Sequence, residues 1–184
     1  MIKRNVMLVV GGDFGDEGKG KIVSYLAKAY DYRHVARGGG GPNAGHTVVY
    51  NGKICPVRMI PSGFVNPNSQ LYIGRGVVVD PDILLDEIKR YEVDGRLLVD
   101  RLCPIIERRH IDEDNVPYNK TVLNTTGTGT GPAQLERVKR TADLKFAKDV
   151  DSLRPYLTDV GERLNDVIER GEKVLGEGTQ GTFI

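Results

Sequence analysis

Five apolar residues, Val6-Met7-Leu8-Val9-Val10, run directly into a glycine-rich stretch that ends at Gly20, and Ile22, Tyr25, Leu26 and Ala29 follow at helical spacing. An uninterrupted apolar run bounded by glycine predicts a strand buried on both faces, the kind found inside a parallel sheet. Strand, glycine loop and helix in that order open a nucleotide-binding α/β unit. The predicted fold class is therefore α/β, with a mostly parallel central sheet, flanking helices and a P-loop-like start.

Glycine is the one unusual count, 23 in 184 residues, gathered at Gly11–Gly20, Gly38–Gly45, Gly127–Gly131 and Gly176–Gly181. An isolated glycine pair most often marks a tight turn. Four groups, each set against a strand or a helix, point instead to loops whose backbone closely approaches a ligand.

Further elements have local signals. Asn51-Gly52 between Thr47–Tyr50 and Lys53–Val57 predicts a hairpin with a type I′ turn, and Gln70–Ile73 predicts a short strand. Asp80-Pro81 supplies an N-cap and a first helical residue ahead of Ile83, Leu84, Glu87 and Ile88. Leu153 to Gly171 predicts the clearest helix, with Leu157, Val160, Leu164, Val167 and Ile168 on one face and Gly171 ending it. Lys173-Val174-Leu175 predicts a last strand feeding Gly176–Gly181. A strand and loop of this kind lead on to another element, so the stop after Ile184 is expected to be an interruption, with Lys173–Leu175 left at an open sheet edge.

Composition excludes several function classes. Lys plus Arg is 26 against 25 for Asp plus Glu, a net charge of +1, which gives no field for general nucleic-acid or membrane-surface binding. Hydrophobic residues at 39% and charged residues at 28% are ordinary for a soluble globular chain. Cys55 and Cys103 lie far apart with no C-x-x-C spacing, so neither a disulfide framework nor a zinc site is expected and a cytoplasmic setting fits. The run Val6–Val10 is too short for a signal-peptide core or a membrane span.

The chemistry sits in the glycine loops. Gly15-Asp16-Glu17-Gly18-Lys19-Gly20-Lys21 joins the first strand to the first helix, where backbone amides and the positive end of the helix dipole cradle phosphate. It matches a Walker-type loop except that Ile22 replaces the magnesium-binding hydroxyl. A carboxylate beside phosphate needs a cation or a proton-transfer task, which makes Asp16 a candidate magnesium ligand, general base, or both. The second loop runs from Arg37 to Thr47 and carries Asn43, Gly45 and His46. A lone histidine is usually structural, and His34 and His110 keep that reading; His46 differs through its hydrogen-bonding and backbone-exposing neighbours. The third loop, Asn124 to Pro132, offers hydroxyls and amides suited to a phosphate monoester, while the nearby Arg137, Lys139 and Arg140 are by default a solvated basic face.

Together these residues resemble a known family. G-D-E-G-K-G at Gly15–Gly20, N-A-G-H-T at Asn43–Thr47, T-T-G-x-G-x-G-P at Thr125–Pro132 and G-T-Q-G at Gly178–Gly181 are similar to the motifs of adenylosuccinate synthetases, in the family's order. Ile60-Pro61-Ser62-Gly63 and the stretch Gly74 to Pro81 also fit, and the spacing resembles archaeal-type members. The resemblance implies GTP-driven phosphorylation of the IMP 6-oxygen, followed by displacement of that phosphate by the aspartate amine. It implies Asp16 as the base at N1 and a magnesium ligand, and His46 as the acid at O6. Gly15, Asp16, Glu17, Gly18, Lys19, Gly20, Lys21, Gly45, His46 and Thr47 would hold GTP, with the Gly45 carbonyl on magnesium. Asp16, Lys19, Asn43, Ala44, Gly45, His46, Thr126 and Gln180 would hold IMP, with Arg140 reaching the IMP phosphate of the other subunit in a homodimer.

Gly12-Asp13-Phe14 departs from the Gln-Trp common at that place in the family, and nothing in the sequence explains it. The family's guanine-recognition segment, aspartate-binding loop and last strands have no counterpart in these 184 residues. They are therefore expected to be the N-terminal portion of a single, truncated synthetase domain, inactive by itself. The other readings are a non-catalytic nucleotide-binding or dimerising fragment, the phage branch that aminates dGMP, and a generic P-loop GTPase. The phage branch lacks an acidic residue where Asp16 stands, and Ile22 and the lack of N-K-x-D count against the GTPase.

Overall fold

The structure is a computed structural model that describes residues 5–183; residues 1–4 and Ile184 lie outside it. In chain order the elements are β1 (Val6–Val9), α1 (Lys19–Ala29), β2 (His34–Arg37), β3 (His46–Tyr50), β4 (Lys53–Val57), β5 (Gln70–Ile73), α2 (Pro81–Arg90), β6 (Leu97–Asp100), α3 (Arg108–Asp114), α4 (Pro117–Thr121), α5 (Thr130–Lys139), β7 (Leu157–Thr158), α6 (Val160–Glu169) and β8 (Val174–Glu177). Six strands form one parallel sheet in the order β1-β8-β2-β5-β6-β7, and β3 and β4 form a separate antiparallel hairpin. The α/β class with a parallel sheet and flanking helices is as expected.

Local signals held where the local chain governs. Asn51 and Gly52 both take positive φ, 51° and 73°, as a type I′ turn requires, and Tyr50 pairs with Lys53. The Asp80 side chain accepts from the amides of Asp82 at 3.0 Å and Ile83 at 3.1 Å, and Pro81 is the first helical residue.

Three expectations are corrected. β1 is not buried on both faces: Val6 and Met7 are 44% exposed, Leu8 68% and Val10 70%. It is the edge strand, with β8 as its one neighbour among the described residues, and it borders an apolar groove of about 420 Å³ shared with Leu164 and Ile168. Conversely, the strand at Lys173–Leu175 is not at an edge. β8 lies between β1 and β2, with Val174 opposite both Val6 and His34. The helix expected from Leu153 begins only at Val160. Pro155 lies inside a 3₁₀ segment, Asp151–Tyr156, because its ring and missing N–H exclude it from an α-helical interior. Leu157–Thr158 then pairs with β6, and the Asp159 side chain caps α6 by accepting from the Glu162 amide at 3.0 Å. Val160 and Val167 still face the core, as the periodicity required.

The core lies around the central strands. Val35 of β2, Leu71 and Ile73 of β5, Val99 of β6 and Leu175 of β8 are fully buried, along with Val23 and Ala27 of α1. Truncating one such side chain costs about 2–5 kcal/mol. This core holds the carboxyl ends of β1, β2 and β8 in fixed register, and the loops that leave those ends are the glycine-rich ones.

Candidate functional site

The first, second and fourth glycine loops leave the carboxyl ends of β1, β2 and β8, the place where open parallel sheets form ligand crevices. The first and fourth are joined by Thr182, whose hydroxyl donates to the Gly11 carbonyl at 3.0 Å, and by the Phe14 and Phe183 rings, 5.6 Å apart. The third loop, between α4 and α5, reaches the second at Gly41. A Cβ there would lie 2.8 Å from Thr130 Oγ1 and 2.9 Å from its methyl carbon, so only glycine permits the approach.

Residues 15, 16 and 18–21 of the first loop and Gly45, His46 and Thr47 of the second line one cleft of about 270 Å³. Gly18, with φ 86°, turns the chain into α1, so the first amides of an eleven-residue helix border this cleft. Gly20 lies against the second loop: a Cβ on it would be 2.6 Å from His46 Cβ and 2.9 Å from Ser62 Oγ. Lys19 is buried and folds back on its own loop, donating from Nζ to the Gly15 carbonyl at 2.7 Å. Glu17 braces the loop by accepting from the Asp13 amide at 2.6 Å. Asp16 lines the cleft and is exposed.

His46 is buried, and its two ring nitrogens meet different surroundings. Nδ1 contacts the Glu177 carboxylate and lies 3.2 Å from Ser62 Oγ, whereas Nε2 is buried with no hydrogen-bond partner among the described residues. Glu177, the last residue of β8, is completely enclosed. It also accepts from the Ser62 amide at 2.7 Å and from the Ser62 hydroxyl. Burial pushes its carboxyl up, but His46, Arg37 and Ser62 together outweigh burial and hold it below the usual carboxylate range.

Beside Glu177 in register stands Arg37, fully buried at the end of β2. Its guanidinium donates to the carbonyls of Arg58 at 2.5 Å, Gly41 at 2.9 Å and Ala44 at 3.0 Å, tying the second loop to the strand beneath it. Burial lowers its pKa, countered by the charges of Glu177 and Glu87. Glu87 of α2 accepts from the amides of Arg58, Met59 and Ile60 at 2.5, 2.9 and 2.9 Å, and burial outweighs these bonds and raises its carboxyl.

The other expected residues are placed as follows. Asn43 turns inward on its own loop, accepting from the Gly41 amide at 3.1 Å. Thr126, Thr128 and Thr130 form a hydroxyl ladder with spacings of 3.1 and 3.0 Å, and the loop is anchored by the Gly129 amide donating to buried Asp114 at 2.9 Å. Gln180 is exposed in the fourth loop. Arg140 is exposed at the far end of α5 with φ 56°, and it does not line the cleft.

Sequence reasoning passed over Glu177, Ser62 and Arg37 although all three stand in quoted motifs. A charge beside a run of glycines looks solvated until tertiary contacts bury it.

No group of three or more His, Cys, Asp or Glu capable of holding a metal occurs among the described residues. Asp16, one carboxylate in the same cleft as the Gly45 carbonyl, suits magnesium, which takes few protein oxygens and completes its shell with water and phosphate.

Residues 8–147 match the family profile described as adenylosuccinate synthetase. The adenylosuccinate synthetase of Methanococcus maripaludis is 50% identical over 182 residues, covering 96% of this chain and 53% of the relative. That of Methanocaldococcus jannaschii is 49% identical over 181 residues, covering 96% and 52%. Among solved structures, fully ligated adenylosuccinate synthetase from Plasmodium falciparum aligns with a TM-score of 0.84 and 25% identity, over 96% of this chain and 52% of that one. Cyanophage S-2L succinoaminodeoxyadenylate synthetase, bound to dGMP and dATP, aligns with a TM-score of 0.83 and 26% identity, over 96% and 51%. The chain spans about half the length of the curated relatives it matches. The resemblance carried by the four glycine loops is thus matched along nearly the whole chain, which belongs to the adenylosuccinate synthetase family.

Proposed function

We propose that these residues form the N-terminal portion of a single synthetase domain that joins IMP to L-aspartate at the expense of GTP. The observation that carries this reading is the meeting of Asp16 and His46 in one cleft walled by a helix N-terminus and a glycine loop. Phosphoryl transfer to a carbonyl oxygen needs phosphate held by aimed amides, a base for the ring N–H and a donor at the developing oxyanion.

In this reading residues 15–21 and 45–47 hold the GTP phosphates, Asp16 takes the N1 proton of IMP, and His46 donates toward O6. Lys19, Asn43, Ala44, Gly45, Thr126 and Gln180 hold IMP, and Arg140 of one subunit reaches the IMP phosphate in the other. Magnesium would be held by the Asp16 carboxylate and the Gly45 carbonyl, where it offsets the negative charge crowded between the phosphates. The presence of Asp16 favours IMP over the dGMP-aminating alternative. A cytoplasmic setting accords with both cysteines being free and with no described helix being long and apolar enough to cross a membrane.

The test is adenylosuccinate formation from IMP, aspartate, GTP and magnesium by a protein of the relatives' full length carrying these residues. No IMP-dependent GTP consumption at saturating aspartate overturns the proposal. The 184 residues alone are expected to bind phosphate-type ligands without forming product, since misplacing a reacting group costs orders of magnitude in rate. Turnover by the isolated chain would overturn that part.

A further inference from the structure

We infer that Glu177 is the positioning residue of His46: it holds the proton on Nδ1 and leaves Nε2 as the one ring nitrogen free to meet a ligand. The inference rests on reading the cleft as a phosphate and proton-transfer site, and extends that reading to a residue at the far end of the chain.

Nδ1 of His46 faces two groups, a Glu177 carboxylate oxygen and Ser62 Oγ at 3.2 Å. The carboxylate only accepts. The Ser62 hydroxyl has one proton, and it is directed at the same Glu177 oxygen, so toward His46 it offers lone pairs. Nδ1 therefore meets acceptors alone and must carry a hydrogen. The other nitrogen, Nε2, is buried with no hydrogen-bond partner among the described residues, in a side chain that is 7% exposed on a residue lining the cleft. A buried polar atom left unpaired keeps its desolvation penalty, which a ligand oxygen placed there would relieve. Any proton that His46 exchanges with a ligand passes through Nε2, because Nδ1 keeps its own on Glu177. A carboxylate behind an imidazole orients and selects the tautomer of catalytic and metal-binding histidines in the same way.

Glu177 is itself locked. Its second oxygen accepts from the Ser62 amide at 2.7 Å, a donor that cannot be reversed. Consequently Glu177→Gln must direct its carbonyl oxygen at that amide and its NH₂ at Nδ1 and Ser62 Oγ. An NH₂ group facing Nδ1 demands a bare nitrogen, so the amide variant should invert the tautomer.

Nitrogen NMR of the imidazoles in the 184-residue chain tests this, and with three histidines the signals are few. His110 is an internal standard of the opposite kind. Its Nδ1 accepts from the Glu107 amide at 2.9 Å and its Nε2 faces Glu136 at 3.1 Å, so its proton belongs on Nε2. Under mildly alkaline conditions the native chain should show His46 protonated at Nδ1 and His110 at Nε2. Glu177→Gln should move the His46 proton to Nε2 and leave His110 unchanged, which also reports that the fold is intact. If that variant loses the His110 signature by failing to fold, Ser62→Ala takes its place; it retains Glu177 and should keep the Nδ1 proton. A bare Nδ1 on His46 in the native chain overturns the proposal, as does an unchanged tautomer in folded Glu177→Gln or a lost Nδ1 proton in Ser62→Ala. Inorganic pyrophosphate forms the separate arm. It should shift His46 Nε2 and spare His110. No shift with the tautomer intact would count against the phosphate site and leave the role of Glu177 standing.

Discussion

Arg37 donates from Nη2 to the Ala44 carbonyl at 3.0 Å while no part of the arginine reaches solvent. Seven residues of glycine-rich loop are thereby pinned to the end of a core strand. Arg37→Met keeps an apolar stem but leaves three carbonyls and the nearby carboxylates of Glu177 and Glu87 without their cation. Removing one partner of a buried charge network costs about 3–5 kcal/mol. Urea unfolding should show a loss of that size, and a loss of less than about 1 kcal/mol would mean the charges are not mutually dependent.

Gly20→Ala sets two effects against each other. Alanine gains at most about 1 kcal/mol in helix propensity. Its Cβ would lie 2.6 Å from His46 Cβ and 2.9 Å from Ser62 Oγ, and overpacking of this kind costs about 1–3 kcal/mol. Sterics should win, moving the start of α1 off the second loop. Pyrophosphate binding, measured calorimetrically, is expected to weaken by at least about tenfold, or 1.4 kcal/mol. Unchanged affinity would show that the helix start and His46 act independently.

The pH dependence of stability should carry two opposed contributions. The Glu177 carboxyl is held low, so its contribution is complete above the unfolded value of 4.5 and is lost as pH falls through the lower folded value. The Glu87 carboxyl is raised, so its contribution is complete below 4.5 and is lost as pH rises through the higher folded value. Denaturant midpoints followed against pH should therefore lose part of their acid-side decline in Glu177→Gln. In Glu87→Gln they should lose part of the decline above 4.5 instead. The same slope change in both variants would contradict the opposite signs.

Leu8 is 68% exposed on the open edge strand, beside a groove walled by Leu164 and Ile168. An exposed parallel edge with apolar side chains invites pairing with another chain, and a lysine there opposes it. Leu8→Lys should reduce self-association of the 184-residue chain in sedimentation velocity, while changing its stability by no more than about 0.5 kcal/mol. Undiminished association would place the sticky surface elsewhere.

Asp16→Asn, made in a protein of full family length, should lower turnover by at least about a hundredfold while IMP and GTP bind within about tenfold of normal. Normal turnover with lost IMP binding would assign Asp16 to binding alone. Mixed dimers of this variant with Arg140→Ala should regain activity if sites are shared; no recovery despite proven subunit exchange would make each Arg140 serve its own site.

What was legible in the sequence had its physical cause within a few residues. Asn51-Gly52 can take the positive φ of a hairpin turn, Asp80-Pro81 can start a helix, and a glycine loop between strand and helix can turn its amides toward phosphate. The same applies to Asp16 and His46, conspicuous because their immediate neighbours are built for ligand contact. Placement across the sheet was not legible. An apolar run such as Val6–Val10 specifies strand, but its neighbours decide whether it is central or an edge, and here β8 arrives from far along the chain to lie between β1 and β2. Pro155 was visible, yet apolar periodicity masked the break it imposes at Leu157. Glu177 and His46 are 131 residues apart, and only the register of β8 against β2, with β3 packed on α1, brings carboxylate and imidazole together. Burial turned Glu177 and Arg37 from ordinary charged letters into the frame of the cleft, because an enclosed charge must be paired and the tertiary contacts decide with what.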